Sequence, residues 1–171
     1  AGEPDRAPVR ADGMDTGPQE AVVHIKKLEA FLKELGVGKI ATVSGRYYAM
    51  DRDNNWDRLK KVEDAIFDCK GNVCHVVEPS SLLKSLYENK VDDMHIGPIV
   101  SLDYEGRGCA IKDNDGVFFF NFRPDRARML SHKVAERAEK SNIYFVTMTK
   151  YDDSIVSNVA FSPIDVGSCL G

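Results

Sequence analysis

The chain has 171 residues, of which 43% are hydrophobic and 29% are charged, and its formal net charge at pH 7 is −4. This composition is typical of a globular domain with a sizeable core, and the acidic balance argues against general nucleic-acid binding, which needs a basic surface. No apolar run approaches the ~20 residues that span a bilayer, and the four scattered cysteines do not indicate a secreted disulfide framework, so we expect a cytoplasmic protein with reduced thiols.

The amino-terminal segment differs in composition from the rest of the chain. Residues 1–11 are rich in Ala, Pro, Arg and Gly and lack hydrophobic periodicity, so we predict a disordered lead-in before one domain over residues 12–171. Thr16 and Gln19 fit a capping box, and the apolar spacing that follows predicts a helix from Gln19 to Leu35, ended by a glycine.

A long loop between a strand and a helix carries two arginines. Residues 39–43 form an apolar run that predicts a buried strand, and residues 56–67 predict a helix. Ligands of open α/β sheets bind at loops that follow the carboxyl ends of strands, and a guanidinium group matches phosphate or carboxylate oxygens two at a time. Arg46 and Arg52 are therefore candidate anion-binding residues.

Strands and helices continue to alternate toward the carboxyl terminus. The pattern predicts a helix at 80–89, a strand at 99–102, a central strand at 117–122, a helix at 124–138, a strand at 143–149 and an irregular tail from 159. This order predicts a layered α/β/α domain with a mixed or mostly parallel sheet.

A second pair of arginines lies at a predicted helix start. Arg123 and Arg126 are three residues apart, so they are expected to share a face beside the backbone N–H groups of the first turn, an arrangement suited to phosphate. In the alternative interpretation, Asp125 pairs with Arg128 in an ordinary amino-terminal turn. If the loops converge with the one that contains Asp12 and Asp15, the arginines face one or two aspartates, and the aspartate could act on a ligand hydroxyl as acid or base.

The loop that carries Arg46 and Arg52 also contains acidic residues. Asp51, Asp53 and Asp57 resemble a metal cluster in composition, but no histidine or closing carboxylate follows at ligand spacing. We interpret Asp51 and Asp53 as groups that orient Arg46 and Arg52, or that simply pair with them in a solvated loop.

A zinc site is the other metal hypothesis. Cys69, Cys74 and His75 lie close together, but the second ligand pair of a structural zinc site is missing. We therefore predict no metal site in this chain.

Three blocks of sequence carry a family resemblance. They are DGMDT at residues 12–16, SGRYYAMDRD at 44–53 and FNFRPDRAR at 120–128. Together they resemble, in order and spacing, the phosphotransferase domain of cofactor-independent (2,3-bisphosphoglycerate-independent) phosphoglycerate mutase. The resemblance covers roughly residues 12–171 and corresponds to the carboxyl-terminal part of that domain, so the α/β domain is expected to be incomplete relative to the family.

The resemblance implies a glycolytic isomerase that interconverts 3-phosphoglycerate and 2-phosphoglycerate. Arg46, Arg52, Arg123 and Arg126 would bind substrate, and Asp15 would be the acid/base aspartate. In the family, two divalent metals, usually manganese, and a serine nucleophile belong to a separate domain, which has no counterpart here and which a second chain or domain would supply. No cofactor is expected in this chain, which would be inactive alone.

One departure from the family pattern keeps an alternative open. Met14 stands where the family motif has arginine, and methionine offers no hydrogen-bond donor to an anion. The alternative is a stand-alone module that binds a phosphorylated anion, or regulates through one, without catalysis. A nucleic-acid binder that stacks bases on Tyr47, Tyr48 and Trp56 is a third hypothesis, disfavoured by the net charge.

Overall fold

The computed structural model describes residues 6–74, 78–102 and 110–162. The chain divides into two compact units, Ala1–Ile111 and Lys112–Gly171. Both units combine strands with helices, which confirms the predicted α/β class. None of the helices in the described ranges is long and apolar enough to cross a membrane.

Unit 1 contains a four-stranded mixed sheet. Its strand order is β1-β2-β4-β3, with β1 parallel to β2, β2 antiparallel to β4, and β4 parallel to β3. The elements in chain order are β1 (Arg6–Ala11), α1 (Ala21–Leu35), β2 (Lys39–Gly45), α2 (Arg46–Ala49), α3 (Trp56–Asp68), β3 (Asn72–Cys74), α4 (Pro79–Glu88), a 3-10 helix (Asp93–His95) and β4 (Ile99–Ser101).

One hydrophobic cluster connects α1 and α4 with the sheet. Ile25 of α1, Val43 of β2, Leu83 of α4 and Ile99 of β4 are each at most 2% exposed. Burial of such side chains stabilises a fold by about 1.5–3 kcal/mol each, so this cluster fixes the sheet and the loops that leave it.

The predicted disordered lead-in is wrong over residues 6–11. This segment forms β1, which pairs in parallel with β2 and has a register shift between Ala7 and Pro8. Proline lacks a backbone N–H and is tolerated at edges and bulges, so a strand that contains it lacks the usual sequence pattern.

The predicted capping box at the start of α1 is also wrong. The Thr16 hydroxyl accepts the Gly13 N–H (3.3 Å), and α1 begins at Ala21, whose N–H donates to Asp93 Oδ2 at 2.8 Å. The helix end is as predicted, at Gly36 with φ 68°. The cap is thus supplied by a residue distant in sequence, which a local pattern cannot reveal.

Unit 2 contains a three-stranded parallel sheet covered by one helix. Its elements are β5 (Gly116–Phe119), α5 (Arg128–Ser141), β6 (Tyr144–Thr147) and β7 (Asn158–Val159), in the order β5-β6-β7. The short strand β7 was not predicted, and residues 163–171 of the predicted irregular tail lie outside the described residues.

The prediction that β5 is a central strand is wrong, because β6 lies between β5 and β7. Phe118, Phe120 and Phe122 are 53%, 69% and 73% exposed. Successive side chains along a strand point to opposite faces, so Phe118 leaves the core, and Phe120 and Phe122 lie beyond the strand, which ends at Phe119.

The second correction in unit 2 concerns the start of α5. The helix begins at Arg128 instead of Pro124, because the N–H groups of Ala127 and Arg128 both donate to the Pro124 carbonyl, at 3.0 and 2.9 Å, and close a turn first. Arg123 and Arg126 therefore precede the helix and do not share a face of it.

Candidate functional site

The candidate site of unit 1 lies at the carboxyl ends of β1 and β2. These strands are parallel, and their last residues, Ala11 and Gly45, are register partners. The residues that follow, Asp12 and Arg46, are therefore brought side by side although they are 34 positions apart. This is the edge of an α/β sheet at which ligands bind.

Arg46 is the centre of this site. Its side chain is only 7% exposed, and its Nη1 donates to Asp12 Oδ1 at 2.6 Å and to Asp15 Oδ2 at 2.9 Å. Burial lowers the pKa of Arg46, but the hydrogen bonds to the two carboxylates outweigh burial and raise it. The guanidinium is thus firmly charged and is held by two aspartates.

Asp12 organises the loop as well as the arginine. Its Oδ1 also accepts the backbone N–H groups of Met14 (3.0 Å) and Asp15 (3.1 Å). Burial raises the pKa of Asp12, but the hydrogen bonds from Asp15 N–H, Arg46 and Met14 N–H outweigh it and hold the pKa below its usual range. Sequence reasoning expected aspartates of this loop to face the arginines if the loops converged, but it could not assign the Asp12–Arg46 pair, because β1 had not been predicted.

The 3-10 helix packs closely beneath the site. The Gly45 N–H donates to the Ile96 carbonyl at 2.8 Å. Within the 3-10 helix, the His95 ring nitrogen Nδ1 lies 2.7 Å from Asp92 Oδ1, and the ring is 5.4 Å from that of Tyr47. The segment therefore supports the backbone from which Arg46 projects.

Asp51 does not orient Arg46, contrary to the prediction. Its Oδ1 accepts the N–H groups of Asp53 (2.9 Å) and Asn55 (3.0 Å), and its Oδ2 lies 3.5 Å from Arg58 Nη1. It thus organises the loop before α3. Arg52, in the same loop, is exposed.

The tyrosines after Arg46 contact cations. The Arg58 guanidinium lies 3.9 Å from the Tyr47 ring centroid, and Lys61 Nζ lies 5.6 Å from that of Tyr48. Cation–π contact uses the ring faces on which bases would stack, so this geometry gives no support to the nucleic-acid hypothesis.

In unit 2, Arg123 is paired with an aspartate of its own turn. Its Nε and Nη2 donate to the two carboxylate oxygens of Asp125 at 2.6 and 3.1 Å, and 66% of the arginine side chain is exposed. The alternative Asp125–Arg128 pair is not formed, because Arg128 Nε lies 3.3 Å from Asp152 Oδ2. Arg126 is half-buried in the same turn.

Comparisons with known proteins give the family. The family model described as "BPG-independent PGAM N-terminus" matches residues 8–153. The chain belongs to this family. It is thus a member of the 2,3-bisphosphoglycerate-independent phosphoglycerate mutase group, and the resemblance of the three motifs is confirmed at that level.

Curated relatives are also named as phosphoglycerate mutases of this group. A 2,3-bisphosphoglycerate-independent phosphoglycerate mutase from Listeria innocua is 41% identical over 170 residues, covering 94% of this chain and 33% of the relative. One from Clostridium acetobutylicum is 44% identical over 172 residues, covering 94% and 32%. The chain thus spans about a third of the length of the relatives it matches.

A solved structure agrees on the fold. A crystal structure of Leishmania mexicana phosphoglycerate mutase at low cobalt concentration has a TM-score of 0.81 to this chain at 23% identity. The match covers 93% of this chain and 32% of the other. At this identity the likeness supports the α/β fold and carries no residue roles.

The residues described here do not fit the metal pair that the mutase family implies. No group of three His, Cys, Asp or Glu side chains able to hold a metal ion is found in residues 6–74, 78–102 and 110–162. Cys69 ends α3 with φ 52°, and His75 of the zinc hypothesis lies outside the described residues. We therefore derive no chemical step through a metal from these side chains.

A pH-dependent contribution to stability is expected from Asp51. Burial raises the pKa of Asp51, but hydrogen bonds from Asn55 and Asp53 and the charge of Arg58 outweigh it, so the folded-state pKa is lowered. A lowered carboxyl pKa stabilises the fold above the unfolded-state value of about 4, and this stabilisation disappears as the pH falls through the folded-state pKa. Asp51→Asn should therefore destabilise the protein more at pH 7 than at pH 3.

The measurement is urea unfolding followed by the fluorescence of Trp56, the one tryptophan of the chain, which begins α3. Asp57→Asn, an exposed carboxylate in the first turn of the same helix, is the matched control and should show a small effect at both pH values. An equal loss of stability for Asp51→Asn at both pH values would contradict the assignment.

Proposed function

We propose that this chain is the substrate-binding part of a 2,3-bisphosphoglycerate-independent phosphoglycerate mutase, an isomerase of glycolysis that interconverts 3-phosphoglycerate and 2-phosphoglycerate. Within that enzyme it corresponds to the carboxyl-terminal part of the phosphotransferase domain, over residues 12–171 together with the strand β1. The family match supports the reaction class, and the cluster of Arg46 with Asp12 and Asp15 is the observation that carries the proposal.

The roles follow from the chemistry of the side chains. Arg46, Arg52, Arg123 and Arg126 bind the phosphate and carboxylate of the substrate, since planar guanidinium groups donate to such oxygens in pairs. Asp15 exchanges protons with the glycerate hydroxyls, and its exposed carboxylate beside a fixed cation can reach a bound ligand. Metal-dependent transfer of the phosphoryl group belongs to another domain or chain, and the enzyme is cytoplasmic.

Titration calorimetry with 3-phosphoglycerate tests the proposal. The purified chain should bind with millimolar or tighter affinity, and Arg123→Ala should weaken binding about tenfold or more, because a charge-assisted bond contributes about 1.5–3 kcal/mol. Lys140→Ala, which removes an exposed positive charge near the end of α5, is the control for long-range charge. Far-UV circular dichroism verifies folding, and a folded chain that releases no heat would refute the proposal.

The stand-alone module is the second candidate because of Met14. Its side chain is 61% exposed in the same loop as Asp12 and Asp15, and it provides no donor to an anion. Met14→Arg should tighten 3-phosphoglycerate binding if the loop faces the substrate as in the mutases. Unchanged binding by this variant, with Arg123→Ala still impaired, would favour a module that recognises a different phosphorylated anion.

A further inference from the structure

The two carboxylates on Arg46 are held in different ways. Asp12 Oδ1 accepts three hydrogen bonds, two of them from the backbone N–H groups of its own loop, and its side chain is 25% exposed. Asp15 reaches the same Nη1 through Oδ2, but 66% of its side chain is exposed. Asp12 is therefore a fixed partner of Arg46, whereas Asp15 lies at the solvent side.

The backbone of Asp15 does not need to move for its carboxylate to leave. The Asp15 N–H is anchored to Asp12 Oδ1 at 3.1 Å, so rotation of the side chain alone can separate Oδ2 from Arg46. The pair is part-buried on the Arg46 side, but 66% of the Asp15 side chain is in solvent, so a ligand with several negative charges can replace this carboxylate. If both carboxylates left, the Arg46 side chain, which is only 7% exposed, would lose its counter-charge.

We propose that Asp15 is a displaceable internal ligand of Arg46. A small phosphorylated acid takes the place of its carboxylate on Nη1, Asp12 keeps the guanidinium oriented during the exchange, and the released Asp15 carboxylate remains beside the ligand. This inference rests on the proposed function for the identity of the ligand, and it adds that the acid/base group and the substrate compete for one cation. Substrate binding thereby frees the carboxylate that acts on it.

The test compares Asp15→Asn with the unmodified chain. Asparagine keeps the size of the side chain and removes the charge that competes for Arg46, so we expect both inorganic phosphate and 3-phosphoglycerate to bind about three- to tenfold more tightly. Asp57→Asn removes one exposed carboxylate from the same unit and controls for net charge, so it should change the two affinities less than twofold. Circular dichroism confirms that each variant is folded.

The outcomes separate this inference from the proposed function. Tighter phosphate binding by Asp15→Asn without 3-phosphoglycerate binding would support the exchange and refute the mutase assignment. Equal or weaker phosphate binding by folded Asp15→Asn, or no phosphate binding at all, would overturn the exchange. A further readout is the carboxyl carbon resonance of Asp15, which should move during phosphate titration of the unmodified chain, whereas that of Asp12 should stay nearly constant.

Discussion

Replacing Asp93 by alanine is expected to lower the free energy of unfolding by about 3–5 kcal/mol. The residue is 1% exposed, and its Oδ2 accepts the Ala21 N–H at the start of α1 at 2.8 Å. Its Oδ1 accepts the Tyr87 hydroxyl. Loss of a helix cap costs about 0.5–2 kcal/mol, and each buried donor left without a partner about 1–3 kcal/mol.

Two features of the site make this loss large. The carboxylate lies at the amino-terminal end of α1, where the helix dipole favours negative charge. The Tyr87 hydroxyl that donates to it also accepts the Val22 N–H at 3.3 Å, so one substitution disturbs two N–H groups of the same turn. Asp93→Asn keeps one acceptor and should lose less than Asp93→Ala.

Urea denaturation followed by Trp56 fluorescence measures the effect. Asp92→Ala is the control, because Asp92 is the preceding aspartate, is 41% exposed and caps only the three-residue 3-10 helix, so its loss should cost no more than about 2 kcal/mol. Burial and the hydrogen bond to Asp93 raise the pKa of Tyr87, so the ultraviolet signal of its phenolate should appear at lower pH in Asp93→Asn. An Asp93→Ala protein within 1 kcal/mol of the control would contradict the role assigned to this carboxylate.

Gly45→Ala is the second substitution with a large expected effect. A Cβ atom at this position would lie 2.6 Å from the Asp93 carbonyl oxygen and 2.7 Å from the Ile96 backbone nitrogen. Both contacts are with backbone atoms, which cannot rotate away, so β2 and the 3-10 helix must separate. We expect the free energy of unfolding to fall by about 3 kcal/mol or more. A loss of this size is typical of overpacked core sites and exceeds that of ordinary surface substitutions.

The collision, and not backbone conformation, causes this loss. Gly45 has φ −73° and ψ 159°, which any residue can adopt. Gly36→Ala is the complementary control: nothing lies within 4 Å of its Cβ, but φ is +68°, so it should lose only about 1 kcal/mol. Urea unfolding followed by Trp56 fluorescence should therefore give Gly45→Ala a much lower free energy of unfolding than Gly36→Ala. The reverse order would contradict the expected collision and show that the 3-10 helix moves to accommodate the methyl group.

Local sequence signals predicted those elements whose boundaries depend on nearby residues. The helix over 19–35 and its end at Gly36 are examples, since apolar spacing and a left-handed glycine act within one turn. The amino-terminal boundary of α1 was missed because its cap is Asp93, 72 positions away. The outer position of β5 among the described strands of its sheet was missed because an apolar run predicts a strand and not its neighbours in the sheet.

In the candidate site, too, the sequence identified Arg46 but could not assign the partners that the fold brings to it. Arginine at the end of a strand identified Arg46 as a residue of interest, but its partners Asp12 and Asp15 depend on the parallel pairing of β1 with β2. That pairing was hidden because Pro8 disrupts the pattern of β1. Asp51, which is in the same loop of the sequence as Arg46, was the wrong partner, because its carboxylate accepts the N–H groups of Asp53 and Asn55.

The exposed phenylalanines in β5 and just after it affect how concentrated solutions of this chain should behave. Phe118 of β5, together with Phe120 and Phe122 of the segment that follows it, gives each molecule an exposed apolar face, and a formal net charge of −4 at pH 7 provides repulsion between copies. Acidification removes that repulsion while the apolar face is unchanged. Concentrated samples are therefore best kept on the alkaline side of neutrality and at low ionic strength, where charge repulsion is strongest.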